Sequence, residues 1–213
     1  MNTLDWIDVL ARDAAAVPRA TPQHRLGLAW LVGAACSLVA VLLVFGVLPD
    51  GVLALAQPGM WLKLGYPLLL LLLGGPVLRR LAVPGWRPGA LLWSAAPLTA
   101  AVWALGLGVL WHAEAEQRNM LWMGQTWGSC TLSIAAVSLP VLGLLMLALR
   151  SLAPTRLRVA GALAGVVSGA TGSWAYAVYC PELAVPFVAL WNTLAVALMA
   201  ALGAWLGPRA LRW

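Results

Sequence analysis

Six long apolar runs, separated by short polar punctuation, make up most of the chain. They cover about Leu26 to Leu48, Trp61 to Leu78, Ala90 to Trp111, Trp122 to Leu149, Val159 to Tyr179 and Ala184 to Leu206. The breaks are Pro49-Asp50-Gly51, Arg79-Arg80, His112 to Glu114, Arg150, Cys180-Pro181-Glu182 and Gly207-Pro208-Arg209. Each run approaches or exceeds the roughly 20 residues a helix needs to cross a bilayer. Backbone groups in lipid must be satisfied within the segment, so the runs are expected as helices. The pattern predicts an all-α integral membrane protein, a bundle of six transmembrane helices. Three regions follow: a tail over 1–25, the membrane domain over 26–206 and a short end over 207–213.

Composition narrows the class. Of 213 residues 62% are hydrophobic and only 9% charged, and the mean hydropathy is +0.89. A soluble domain of this size cannot hide that much apolar surface. Six spans use roughly 120 residues and leave no sizeable soluble domain.

Charge predicts the orientation. Arg12, Arg19, Arg25, Arg79, Arg80, Arg87, Arg150, Arg156, Arg158, Arg209 and Arg212 fall on one side of the alternating spans. They are 11 of the 13 basic residues, and only Lys63 and Arg118 fall on the other side. Basic residues collect on the cytoplasmic side. Both termini are therefore expected in the cytoplasm of a cell with the chain in its inner membrane. The net charge of +6 reflects topology and implies no direct nucleic-acid contact. No cleavable signal is visible. Among the 13 Trp residues, Trp61, Trp86, Trp111, Trp122, Trp205 and Trp213 fit interfacial anchors. Trp30, Trp93, Trp103, Trp127, Trp174 and Trp191 are expected to pack in or around the bundle.

The tail has its own pattern. Leu4, Ile7, Leu10 or Ala11, and Ala14 recur at helical spacing, with Asp5, Asp8 and Asp13 on the polar side. Thr3 is a candidate cap, Asp8 and Arg12 are spaced as an i,i+4 pair, and Pro18 and Pro22 end the pattern. So short a helix is marginal alone in water, and its apolar stripe needs a partner. Helices that lie on membranes usually carry a basic polar face. This one is acidic, which favours a protein partner over a lipid surface. Leu4, Asp5, Ile7, Asp8, Leu10 and Ala11 are the candidate contact residues.

Cys130 and Cys180 fall near the outer ends of consecutive spans, while Cys36 lies mid-span and reads as a packing residue. A shared depth admits a redox or thiol-sensing pair, and burial of free thiols for packing stays open beside it. The two could also ligate a soft metal, and His112, Glu114, Glu116 and Glu182 lie on the same side without a recognised metal spacing. There is no C-x-x-C, which speaks against a dedicated thiol oxidoreductase. Gly161, Gly165, Gly169 and Gly172 form a stripe that lets helices approach closely. That fits packing within one chain better than a seam between copies, although a homo-oligomer stays open. Lys63 lies near a span end and can snorkel, and Asn192 is the main other polar group deep in a span. Phosphate-binding loops, metallohydrolase motifs and Ser/His/Asp constellations are absent, so no enzyme and no cofactor are expected.

Short motifs in order along the chain resemble those of the NrsF family (negative regulator of sigma F), membrane-embedded bacterial anti-sigma factors. They are Leu4-Asp5-Trp6-Ile7-Asp8-Val9-Leu10, Ala16-Val17-Pro18-Arg19, Ser133-Ile134, Ser138-Leu139-Pro140, Ala153-Pro154-Thr155, Tyr179-Cys180-Pro181-Glu182, Phe187-Val188-Ala189-Leu190-Trp191 and Leu211-Arg212-Trp213. The resemblance implies a protein that holds an extracytoplasmic-function sigma factor at the membrane through its N-terminal segment. It also implies sensor thiols at Cys130 and Cys180, so oxidative or heavy-metal stress is the expected releasing signal. A membrane thiol-disulfide oxidoreductase, or a small transporter or scaffold subunit, are the alternatives. Nearly charge-free spans weaken the transport version.

Overall fold

The computed structural model describes residues 3–13, 21–48, 56–83 and 89–212. Pro18, Arg19, Asp50, Trp86, Arg87 and Trp213 lie outside the described residues, as does the side chain of Arg12. Among the described residues all regular structure is helical. Helix α1 spans Thr3–Asp13, α2 Thr21–Val44, α3 Pro58–Leu81, α4 Ala95–His112, α5 Ala115–Met123, α6 Trp127–Arg150 and α7 Leu157–Tyr176. The last element, α8, runs over Val185–Ala210 and contains a widened π turn at Val188–Asn192. A 3-10 turn, Gly89–Trp93, leads into α4.

Five segments are long and apolar enough to cross a membrane: Gln23–Val44, Pro58–Leu81, Ala95–His112, Ala115–Arg150 and Val185–Ala210. The sixth expected span, α7, has the length but is diluted by Gly, Ser and Thr. Its position accounts for this. It forms the centre of the bundle, packing on α2, α3, α6 and most extensively on α8. A helix screened by its neighbours needs small residues for close approach more than it needs apolar bulk.

The α7–α8 contact is backbone on backbone. A Cβ on Gly161 would run into the Gly203 carbonyl, one on Gly165 into the Met199 carbonyl, and one on Gly207 into the Leu157 carbonyl. The other side of α7 meets α6, where Gly172 lies against the Ser138 hydroxyl. The glycine stripe thus packs within one chain, as its spacing suggested. Inter-helix hydrogen bonds add to this. Trp30 donates from Nε1 to Thr171 Oγ1 at 3.0 Å, and Ser37 donates from Oγ to the Val137 carbonyl at 2.5 Å.

Several boundaries differ from the sequence pattern. Pro22 ends the tail pattern and sits in the first turn of α2, where its missing N–H costs nothing, so the next helix already begins there. The fourth run is two helices, because Gly124 takes φ +57° between α5 and α6. Glu116 is consequently in the first turn of α5. Pro208 lies inside α8, which continues to Ala210. Cys36 is exposed on α2 and packs no core. Trp93, Trp127 and Trp174 are also exposed, outside the bundle interior.

Hydrophobic clusters define two ends. Leu26, Leu78, Ala82, Leu149 and Leu211 meet at one end, next to Arg25, Arg79, Arg80, Arg150, Arg158 and Arg212. Cys130, Tyr176, Cys180 and Phe187 meet at the other. These six arginines and the Cys130–Cys180 pair therefore lie at opposite ends.

Candidate functional site

The site forms where α7 ends. After Tyr176 the chain turns, and residues 180–184 run extended before α8 begins at Val185. Cys180 opens this strap and is 2% exposed. Cys130 lies one turn into α6 and is 1% exposed. Both belong to one cluster with Ile134, Tyr176, Phe187 and Ala195. Their thiols lie within hydrogen-bonding reach of each other, and both are free. The structure thus brings the two cysteines together, which sequence depth alone permitted.

The strap is held along its length. Lys63 of α3 is 3% exposed and donates from Nζ to the Cys180 carbonyl. Its ammonium is turned inward and does not snorkel outward. Glu182 Oε1 accepts the backbone N–H of Gln125 at 2.6 Å and that of Thr126 at 3.2 Å. Those are free amides at the start of α6, a favourable place for a carboxylate. The carboxylate fits against Gly124, whose Cβ position would lie 2.7 Å from it. Leu183 lies against Gly59 on α3, where a Cβ would strike the Leu183 carbonyl. Beneath the strap, Leu48 donates its N–H to the Val178 carbonyl at 3.1 Å.

Rings wall in the thiols. Phe45 packs edge-on to Tyr176 with centroids 5.4 Å apart, and Tyr179 lies 5.1 Å from Phe45. Trp191, in the π turn, lies 6.0 Å from Trp127 and 6.3 Å from Phe187. It donates from Nε1 to the Trp122 carbonyl at 3.1 Å, while its own carbonyl accepts from Thr131 at 3.3 Å. A widened turn often marks a functional site, and this one lines the thiol cluster. Asn192 is buried in the same turn.

Electrostatics differ between a lone thiol and this one. The Cys180 thiol is lowered from the ordinary 9.0 to about 6, first by the hydrogen bond from Cys130 and then by the Lys63 ammonium, against the opposing effect of burial. A thiolate is the reactive form toward oxidants and soft metals. Among the described residues no three of His, Cys, Asp and Glu come together, so His112, Glu114 and Glu116 do not complete a ligand set. Two thiols remain, enough for a linear two-coordinate soft ion.

Lys63, Glu182 and Gly124 are the site residues that sequence reasoning missed. Lys63 offered one signal, as the lone lysine of the chain, placed where a charge is costly.

The tail is a helix as its spacing predicted, over Thr3–Asp13. Asp5, Trp6, Ile7, Asp8, Val9, Leu10 and Ala11 are all exposed; the side chain of Leu4 is outside the described residues. Ile7 and Leu10 are 55% and 65% exposed, so an apolar stripe stands uncovered beside the acidic one.

Comparison with known proteins covers the whole chain. It is 38% identical over 219 aligned positions to the probable anti-sigma-F factor NrsF of Azospira oryzae, and 34% identical to the anti-sigma-F factor NrsF of Caulobacter vibrioides. Each alignment spans all of both proteins. No solved structure matches the chain. The family model for the negative regulator of sigma F matches residues 10–213. The chain belongs to the NrsF family, whose members are negative regulators of sigma F.

Proposed function

We propose that this protein is a membrane-embedded anti-sigma factor. It holds an extracytoplasmic-function sigma factor through α1 and releases it when Cys130 and Cys180 are modified. Full-length likeness to two proteins named anti-sigma-F factors supports the regulatory role. The observation that carries the release mechanism is the strap: two buried thiols at a segment pinned by Lys63 of α3 and by two backbone amides of the turn between α5 and α6.

In this reading six helices span the bacterial inner membrane. The arginine end and both termini face the cytoplasm, and the thiol end faces outward. That outer compartment is oxidising. Oxidation joins the sulfurs in a disulfide. Two thiol protons and two electrons go to the oxidant, so one hydrogen peroxide leaves as two waters. A thiol-binding metal ion instead displaces both protons and bridges the sulfurs.

Either event draws the strap toward α6. The strap continues directly into α8, and α8 has no slack against α7. Gly161, Gly165, Gly203 and Gly207 put backbone against backbone along the whole contact. A close-packed pair shifts as a unit instead of deforming. A displacement at the strap is thus felt at the arginine end, on the side of the membrane from which α1 holds sigma.

The test is a sigma-dependent reporter in cells carrying a Cys130→Ser, Cys180→Ser double variant. The variant is expected to retain sigma under oxidant or cadmium while the parent releases it. Normal induction in the variant would falsify the sensor role.

A further inference from the structure

At the arginine end, α7 and α8 enclose a cleft of about 480 Å³. Its lining is Arg158, Ala204, Trp205, Pro208, Arg209 and Arg212. Three guanidinium groups from two helices and the chain end therefore face one space. Among the described residues no ion pair to any of the three is found. Arg209 is held in place: it donates from Nη1 to the Trp205 carbonyl at 2.9 Å, and its guanidinium sits 4.1 Å from the Trp205 ring centroid. Trp205 is 55% exposed.

What adjoins the cleft identifies its ligand. On α8, Leu194, Leu198, Ala201 and Trp205 are all exposed and recur every three or four residues. They form one apolar stripe that ends at Arg209. The ligand that satisfies both parts is amphiphilic, with an anionic head for the three arginines and a long apolar tail for the stripe. Free phosphate would leave the stripe uncovered, and so would an acidic peptide lying across the helix ends.

We propose that Arg158, Arg209 and Arg212 bind the phosphate headgroup of an anionic phospholipid of the inner leaflet, with an acyl chain along the α8 stripe. Arginine forks match phosphate oxygens, a basic pocket between helices at the cytoplasmic face suits such headgroups, and an interfacial Trp suits headgroup depth. The site bridges the inner ends of α7 and α8, the pair on which the release mechanism depends. The inference rests on the orientation given under Proposed function, and its readout is independent of sigma.

The experiment uses the full chain purified in neutral detergent. Native mass spectrometry counts bound lipid while a thermal-shift assay follows stability, with phosphatidylglycerol, phosphatidylcholine or inorganic phosphate added. Phosphatidylglycerol is expected to bind and to raise the midpoint, and the other two are not. An Arg158→Gln, Arg209→Gln, Arg212→Gln variant is expected to lose at least about tenfold in phosphatidylglycerol affinity. The single Arg212→Gln variant, altered beyond the end of α8, is expected to weaken it severalfold without a folding defect. An Arg150→Gln, Arg156→Gln variant removes nearby charge outside the cleft and is expected to bind as the parent does. Equal binding of phosphatidylcholine, full stabilisation by inorganic phosphate alone, or equal losses in the two multiple variants would each overturn the proposal. So would a triple variant that keeps the lipid but loses sigma. A chain that binds phosphatidylglycerol through these arginines but captures no sigma factor supports the lipid site and refutes the anti-sigma reading instead.

Discussion

The Lys63 ammonium is buried against the backbone carbonyl of Cys180. A lysine inside an apolar end is costly unless its charge is used. Here it pins the strap and biases the thiol next to it toward the thiolate. The ammonium that adds to the effect of Cys130 comes from α3, more than a hundred residues away in sequence.

A first prediction concerns thiol reactivity and its pH dependence. Cys180 is lowered to about 6, and Cys130 contributes more to this than Lys63 does. Alkylation of Cys180 by a small reagent should therefore already be near its plateau at pH 7 in the parent. Removing either partner raises the thiol back toward 9.0, so the rate profile moves to higher pH. The shift should be larger for Cys130→Ala than for Lys63→Met. The measurement needs a Cys36→Ser background, because Cys36 is exposed and reacts on its own. Unmoved profiles in both variants would show that neither partner tunes the thiol.

A second prediction concerns the Glu182 anchor. Its carboxylate accepts two backbone N–H groups, and hydrogen bonds to a charged group contribute about 1.5–3 kcal/mol where shielded. Glu182 is half-buried, so solvent reduces that. Glu182→Ala should cost about 1–2 kcal/mol, and Glu182→Gln, which keeps an acceptor, clearly less. Gly124→Ala should cost at least as much as Glu182→Ala. It adds a Cβ 2.7 Å from the carboxylate and strains a backbone at φ +57°. Unfolding in mild detergent ranks the three.

How much of this was legible follows from which residues act locally. Helices α2 to α4 and the α7 glycine stripe could be located because apolar runs and four-residue spacing are properties of the segment itself. Gathering of the arginines at one end follows from alternating spans. Lys63 and Cys36 were misplaced because a position near a span end or mid-span leaves the direction around the helix undetermined. Lys63 turns inward because residues 177–184 leave a carbonyl within its reach, and Cys36 turns outward because Ser37 takes the place against α6. The break at Gly124 has its partner in Glu182, 58 positions later, and so has no local signature beyond the glycine.

A third prediction separates glycines that look alike in sequence. Gly161→Ala or Gly203→Ala forces a Cβ into a facing carbonyl across the α7–α8 contact. Overpacking of this kind costs about 1–3 kcal/mol or more. Gly143, on α6, has nothing within 4 Å of its Cβ position. Gly143→Ala should stabilise the helix by about 0.5–1 kcal/mol. Thermal unfolding of the three single variants reads the opposite signs directly, and a destabilised Gly143→Ala would contradict the open space around it.

A fourth prediction addresses α1 as the proposed sigma contact. Ile7 and Leu10 are exposed on α1, and each apolar side chain buried in a groove contributes about 1.5–3 kcal/mol. An Ile7→Asp, Leu10→Asp variant should therefore lose sigma capture by at least a hundredfold, since it forfeits that burial and adds charge to the contact. Because neither side chain is part of the bundle's hydrophobic clusters, its thermal midpoint should match the parent's. Asp5→Asn with Asp8→Asn tests the other face. If α1 were a lipid anchor, neutralising the acids would strengthen membrane attachment of the tail and leave sigma capture intact. If α1 is the sigma contact, the same change weakens capture, and the loss grows as salt is lowered. Co-purification of sigma with each full-length variant, at low and high salt, decides between the two.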